Sequence, residues 1–117
     1  MTPEKRFENR LCAGLKEAGI FARHFDTVGL DGWPDITVLH NNSYFLIECK
    51  YHTCKLRDDQ KALHAHLLIA YGIANIIQVS ELYNEFYVCV HDSSGFVTWD
   101  MHIPTFSALV AFIKESM

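Results

Sequence analysis

Apolar positions along this chain repeat with two periods, and the period changes several times. From Pro3 to Gly19 they return at helical spacing, with Leu11, Leu15 and Ala18 in one stripe, which predicts a helix near Pro3–Ala18. A strand near Phe21–Phe25 should follow, leading into a loop over Asp26–Trp33 that carries Gly29 and Gly32. Two β-rich runs, Ile36-Thr37-Val38-Leu39 and Tyr44-Phe45-Leu46-Ile47, flank the polar cluster Asn41-Asn42-Ser43. That arrangement predicts antiparallel strands over Asp35–His40 and Tyr44–Tyr51. Helical spacing returns over Asp58–Tyr71 and stops at Gly72, a residue suited to a helix C-terminus. A strand over Asn75–Val79 should then lie beside the Tyr44–Tyr51 strand, with the helix as the crossover of a βαβ unit. Further on, Phe86–Val90 and Phe96–Trp99 flank the turn residues Asp92-Ser93-Ser94-Gly95 and read as a hairpin. Pro104 precedes a last amphipathic helix, Thr105–Ser116, with Phe106, Leu109, Val110 and Ile113 apolar. The predicted order is α-β-β-β-α-β plus a hairpin and a helix, an α/β fold in one domain over residues 1–117.

Chemistry gathers at the ends of the two central strands. Pro34-Asp35 opens one strand, and Glu48-Cys49-Lys50 closes the other. Strand side chains alternate, so Glu48 and Lys50 share a face while Cys49 points the other way. A hairpin of this length can bring Asp35, Glu48 and Lys50 to one sheet edge. Two carboxylates beside an ammonium are costly to assemble unless a divalent cation and a phosphate belong there. Mg²⁺ takes oxygen ligands, commonly one or two carboxylates with waters and phosphate oxygens, and Mn²⁺ should substitute for it. Asp35 and Glu48 thus read as metal ligands, and Lys50 as the stabiliser of negative charge in phosphodiester hydrolysis.

The pattern Pro34-Asp35 … Glu48-Cys49-Lys50 resembles that of the PD-(D/E)XK nuclease superfamily. The resemblance runs over roughly residues 4 to 80 and implies that nuclease core, with the C-terminal hairpin and helix as a family-specific extension and a dimer surface. It also implies a further acid from the first helix. Glu8 precedes Gly19 by eleven positions, the separation in archaeal Holliday-junction resolvases, so Glu8 is the expected third acid and Glu4 the reserve. The backbone carbonyl of Cys49 joins the implied metal ligands. Leu56-Arg57-Asp58-Asp59-Gln60 resembles the Leu-x-x-x-Gln opening of a helix in the virus-type replication–repair nuclease branch, although Arg57-Asp58 stands where Ser-Pro is usual. Gln60 precedes Leu63 and Leu67 on the face expected to pack on the sheet, where its amide can reach a metal-bound water or Lys50.

Composition narrows the field. Hydrophobic residues make up 50% and aromatic residues 13% of the 117 positions, which excludes a disordered or fibrous chain. Neither a membrane-length apolar run nor a signal-peptide core is visible, so a cytoplasmic protein of a bacterium or phage-infected cell is expected. The net charge of −4 is unusual for a protein that binds a polyanion. Lys55, Arg57 and Lys61, with Lys5 and Arg10 on the first helix, nonetheless form a candidate DNA-contacting set. Cys12, Cys49, Cys54 and Cys89 have no C-x-x-C spacing and read as free thiols. Zinc held by Cys49, His52, Cys54, His64 and His66 is disfavoured, since His64 and His66 point apart on a helix, and solvated imidazoles account for them.

These features lead to an expected Mg²⁺-dependent endodeoxyribonuclease selective for branched DNA, acting as a homodimer because a symmetric junction needs two cuts. The alternatives are a sequence-specific or nicking endonuclease, a subunit acting with a replication partner, or a non-catalytic DNA- or protein-binding module on the same fold.

Overall fold

In the computed structural model, residues 2–24, 34–40, 43–52, 57–70, 76–91 and 97–115 are described. The loop 26–33, the turn residues Asn41 and Asn42, Cys54, Lys55, Gly72 and the turn 92–95 lie outside them, so the expectations placed there are not developed. Helix α1 spans Pro3–Glu17. Thr2 caps it, its hydroxyl accepting from the Lys5 amide at 3.2 Å, with Pro3 and Glu4 in the first turn where a missing N–H and a negative charge are both tolerated. Its C-terminus closes with Gly19 at φ +84°, the Gly19 amide donating to the Lys16 carbonyl and the Ile20 amide to the Leu15 carbonyl.

Six strands follow in spatial and sequence order: β1 (Phe21–His24), β2 (Ile36–His40), β3 (Ser43–Tyr51), β4 (Ile76–Leu82), β5 (Glu85–His91) and β6 (Val97–Ile103). Every neighbouring pair is antiparallel except β3 and β4, which are parallel and joined through helix α2 (Asp58–Ala70). The expected βαβ crossover is present. Strand β4 runs past its expected end, because a second hairpin follows it. Leu82 pairs with Glu85 across Tyr83 and Asn84, both with positive φ (52° and 65°). That is the conformation of a two-residue turn matching strand twist. Strand β6 is also longer than expected, with Met101 and Ile103 packed inward beyond Trp99.

The sheet separates two layers. On one side α1 and α3 (Phe106–Glu115) cover Ile36, Val38, Ile47, Cys49, Ile77, Val79 and Val88 with Phe7, Leu11, Leu15, Leu109 and Ile113. Gly14 permits the close crossing of these helices, since a Cβ there would lie 2.9 Å from the Phe106 ring. The C-terminal hairpin and helix, expected as an extension, are part of this core: Phe86, Ile103, Leu109 and Ile113 are buried in it. On the opposite side α2 packs Leu67 and Leu63 over Leu46 and Ile76. Cys12, Cys49 and Cys89 are buried thiols in no disulfide among the described residues. No helix among the described residues is long and apolar enough to cross a membrane.

Candidate metal centre

Pairing of β2 with β3 sets Ile36 opposite Ile47, so Asp35, one residue before β2, falls beside Glu48 and Cys49. The Cys49 amide donates to Asp35 Oδ2 at 2.8 Å, which fixes that carboxyl at the sheet edge. Glu48 is buried to 1% exposure, with its carboxyl facing that of Asp35, close enough for a hydrogen bond when one of the two is protonated. From above, the first turn of α1 adds Glu4. One carboxylate oxygen from each of Glu4, Asp35 and Glu48 lies within 4.8 Å of the others.

Burial first, and crowding after it, disfavours the charged form of these carboxyls. Burial, and then the neighbouring Glu48, push Asp35 up to about 8. Burial raises Glu48 to about 7 against the pull of Asp35's hydrogen bond and Lys50's charge. Burial likewise raises Glu4. In the metal-free protein the cluster therefore retains a proton between Asp35 and Glu48 near neutral pH. A divalent cation relieves the same repulsion without a proton, and three carboxylate oxygens at one point suit a hard ion such as Mg²⁺ or Mn²⁺. The residues fit the group.

Two residues beyond Glu48 on the same face, Lys50 is 5% exposed, and its Nζ donates to Gln60 Oε1 at 2.7 Å. Gln60 is set by the start of α2. Its Oε1 also accepts from the Arg57 amide at 2.9 Å, which is the return half of a capping box. The helix thus begins at Asp58, with Arg57 as its cap in place of the expected Ser-Pro. One turn on, His64 is buried beside Glu48, its Nε2 3.4 Å from Oε1. Burial, and then Lys50, hold His64 down to about 4, so it is neutral there. On β4, Gln78 and Ser80 pair in register with Glu48 and Lys50 and complete a buried polar layer, with Gln78 Nε2 donating to Ser80 Oγ at 3.0 Å.

The sequence-expected residues divide accordingly. Asp35, Glu48, Lys50 and Gln60 are brought together. Glu8 is not in the carboxylate group: it is buried one turn deeper along α1, bonded to His24 Nδ1 at 2.7 Å and to Lys5 Nζ at 3.1 Å. Glu4, the reserve, is the α1 glutamate whose carboxylate lies in the group with Asp35 and Glu48. Of Cys49 the structure shows the amide bound to Asp35, and its carbonyl stays an expectation. His64 had been read as a solvated imidazole and is instead a buried neighbour of Glu48. Its place was visible in the spacing Gln60, His64, Leu67, one stripe at helical period. Among the basic residues, Arg57 is exposed and paired with Asp59 at 3.1 Å. Lys61 is exposed, Lys5 is tied to Glu8, and Arg10 lies 4.0 Å over the Phe106 ring.

The sequence matches no known family profile and no curated protein. Among solved structures, the Holliday junction resolvase Hjc of Archaeoglobus fulgidus, an archaeal hyperthermophile, is similar at a TM-score of 0.60 and 20% identity. The likeness covers 96% of this chain and 98% of that one, including the C-terminal hairpin and helix that the sequence suggested were an addition. The six-stranded sheet with its three helices is a mixed α/β fold shared with that resolvase.

Proposed function

We propose that this protein is a divalent-metal-dependent endodeoxyribonuclease that hydrolyses phosphodiester bonds in branched DNA, in the manner of a Holliday-junction resolvase. The supporting observation is the convergence of Glu4, Asp35 and Glu48 within 4.8 Å beside a buried lysine, in a fold shared with such an enzyme. The likeness supports the PD-(D/E)XK superfamily; assignment to the virus-type branch rests on the Gln60 position.

Glu4, Asp35 and Glu48 hold Mg²⁺, or Mn²⁺ in its place, through carboxylate oxygens. When bound, the ion supplies an acidified water and charge neutralisation at the phosphoryl group. Lys50 presents its ammonium toward the same edge and stabilises the negative charge that grows on the phosphate oxygens. Gln60 restrains that ammonium through a 2.7 Å hydrogen bond, so Lys50 is ordered before the substrate arrives. Neutral His64 fills the space behind Glu48 without adding a cation. Arg57, at the cap of α2, and Lys61, in its first turn, both exposed, together with Lys55 and the α1 bases Lys5 and Arg10, supply phosphate contacts. A two-fold dimer would place one such site on each side of a junction.

The deciding experiment is a cleavage panel of four-way junction, flap, linear duplex and single-stranded DNA, with Mg²⁺, with Mn²⁺ and with chelator. Metal-dependent cutting of the junction that is absent in Asp35→Asn is expected. Cleavage that persists in chelator, or that survives Asp35→Asn, refutes the assignment. Equal cutting of duplex and junction refutes the branched-DNA preference alone.

A further inference from the structure

On the α1 face of the sheet lies a cleft of about 300 Å³ lined by Pro3, Arg6, Phe7, Arg10, Tyr51 and Glu81. Its lining is next to the centre in sequence, Pro3 preceding Glu4 and Tyr51 following Lys50, while strand alternation turns Tyr51 to the face opposite Lys50. Arg6 and Arg10 are one turn apart on α1, both exposed, and neither has an ion pair among the described residues. Two like charges at this spacing weaken a helix. Glu81 is the one carboxylate in the lining and makes no ion pair with either arginine among the described residues, so two guanidiniums against one carboxylate leave the cleft net positive in a chain of net charge −4, which suits an anion.

An aromatic column rises from the wall of the same cleft. Tyr51 stacks on His52 with centroids 4.2 Å apart and planes 23° apart, and His52 meets Tyr83 at 5.4 Å. Tyr83 is 83% exposed, the largest such exposure among the bulky apolar side chains described. It also stands in the first central position of the β4–β5 turn at φ 52°, where Asn or Gly is at ease and a bulky side chain is strained. His52 has a positive φ of 59° as well, and its amide is fastened to the Glu81 carbonyl at 2.8 Å. Neither folding nor solubility is served by an exposed ring on a strained backbone. Strain of this kind is retained where the ring itself is used.

We propose that this cleft binds one unpaired nucleotide of a DNA strand. Its phosphate sits between the Arg6 and Arg10 guanidiniums, and its base stacks on the Tyr51–His52–Tyr83 column. Guanidiniums recognise phosphate through paired N–H donors, and a ring face accepts any base. A base can reach a ring only when it has left the duplex stack, so the site selects strands at branch points, flaps and ends over paired DNA. The inference rests on the nuclease reading for the presence of DNA, and it adds to that reading a reason for structural selectivity.

The test uses anisotropy of a fluorescein-labelled oligothymidylate with the full chain in EDTA, where no cleavage occurs, and an abasic strand of equal length as control. Tyr83→Ala, Tyr83→Asn and Arg6→Glu/Arg10→Glu should each weaken oligothymidylate binding about tenfold or more. Asn tolerates the left-handed turn, so Tyr83→Asn should lose affinity with no fall in melting temperature. Binding of the abasic strand should depend on the arginines and not on Tyr83. Equal affinity of wild type and all three variants, absence of oligothymidylate binding by wild type, or the same Tyr83 effect on the abasic strand overturns the site. Cleavage in Mg²⁺ is scored on the same preparation. No cleavage with Tyr83-dependent binding intact counts against the nuclease and for the cleft.

Discussion

The two faces of the sheet are built by opposite rules. Under α1 and α3 the contacts are apolar, with Leu11, Leu15, Val38, Ile47 and Leu109 excluded from solvent. Under α2 a similarly buried layer holds Glu48, Lys50, Gln60, His64, Gln78 and Ser80. Burial stabilises the first face through the hydrophobic effect, whereas in the second it raises the free energy of every charge it encloses. The same strands serve both, since Ile47 and Cys49 face one way and Glu48 and Lys50 the other. The apolar face holds the strands rigid, and that rigidity lets the polar face keep carboxylates where they repel one another.

The sharpest way to break this comparison is to remove a carboxylate. Asp35→Asn or Glu48→Gln should reduce cleavage to background while the metal-free protein becomes more stable at pH 8. The expected gain exceeds about 1.4 kcal/mol, the equivalent of one pKa unit, read by urea unfolding. Leu11→Ala on the opposite face should do the reverse, costing about 2–5 kcal/mol with cleavage retained in the folded fraction. Stability falling in both kinds of variant would show the polar face to be an ordinary core.

Next in size, Lys50→Ala should lower turnover about a hundredfold or more and leave Mn²⁺ affinity by calorimetry unchanged, because an ammonium donates and does not coordinate. Parallel loss of metal binding would make Lys50 a structural strut. A smaller effect separates the two glutamates of α1. Glu4→Gln should weaken metal affinity about tenfold to a hundredfold. Glu8→Gln should leave it unaltered and loosen only the His24 and Lys5 contacts; the opposite result would restore Glu8 as the third acid.

The smallest expected effect is in the pH dependence of metal-free stability. Asp35 and Glu48 bind protons more tightly folded than unfolded, so their stabilisation is fullest below the ordinary carboxyl range and is lost as pH rises toward about 7 and 8. His64 works in the other direction. It is neutral when folded, so its contribution grows as pH rises from about 4 to 6.5. Above pH 6.5 the carboxyls act alone, and stability should decline to pH 8, with saturating Mg²⁺ abolishing the decline. A flat metal-free profile would mean that the carboxylates are not crowded in solution.

Much of this was legible in the sequence because local rules coincide with the fold. Asn41-Asn42 between two β-rich runs predicts the β2–β3 pairing, and strand alternation places Glu48 and Lys50 together. Where spacing alone leaves a choice open, the deciding contact is tertiary. Glu4 and Glu8 are one turn apart on the same stripe, so periodicity cannot rank them. Which one overhangs Asp35 depends on where α1 ends relative to β3. The turn at Tyr83-Asn84 was missed because a tyrosine at positive φ runs against turn preferences. His64 was misplaced because its polarity outweighed its position in the Gln60–His64–Leu67 stripe.

The parallel β3–β4 pair, with α3 closing the apolar face, has a consequence for the order of synthesis. Strand β3, which carries Glu48 and Lys50, gains its neighbour β4 only after α2 has been made, and the sheet gains Leu109 and Ile113 only later still. A nascent chain that has emitted every residue of the acidic cluster still lacks the packing that holds the cluster in place. The carboxylate cluster therefore reaches its folded geometry only once translation has passed Ile113, and a ribosome stalled before that point carries a chain with these acids but not their arrangement.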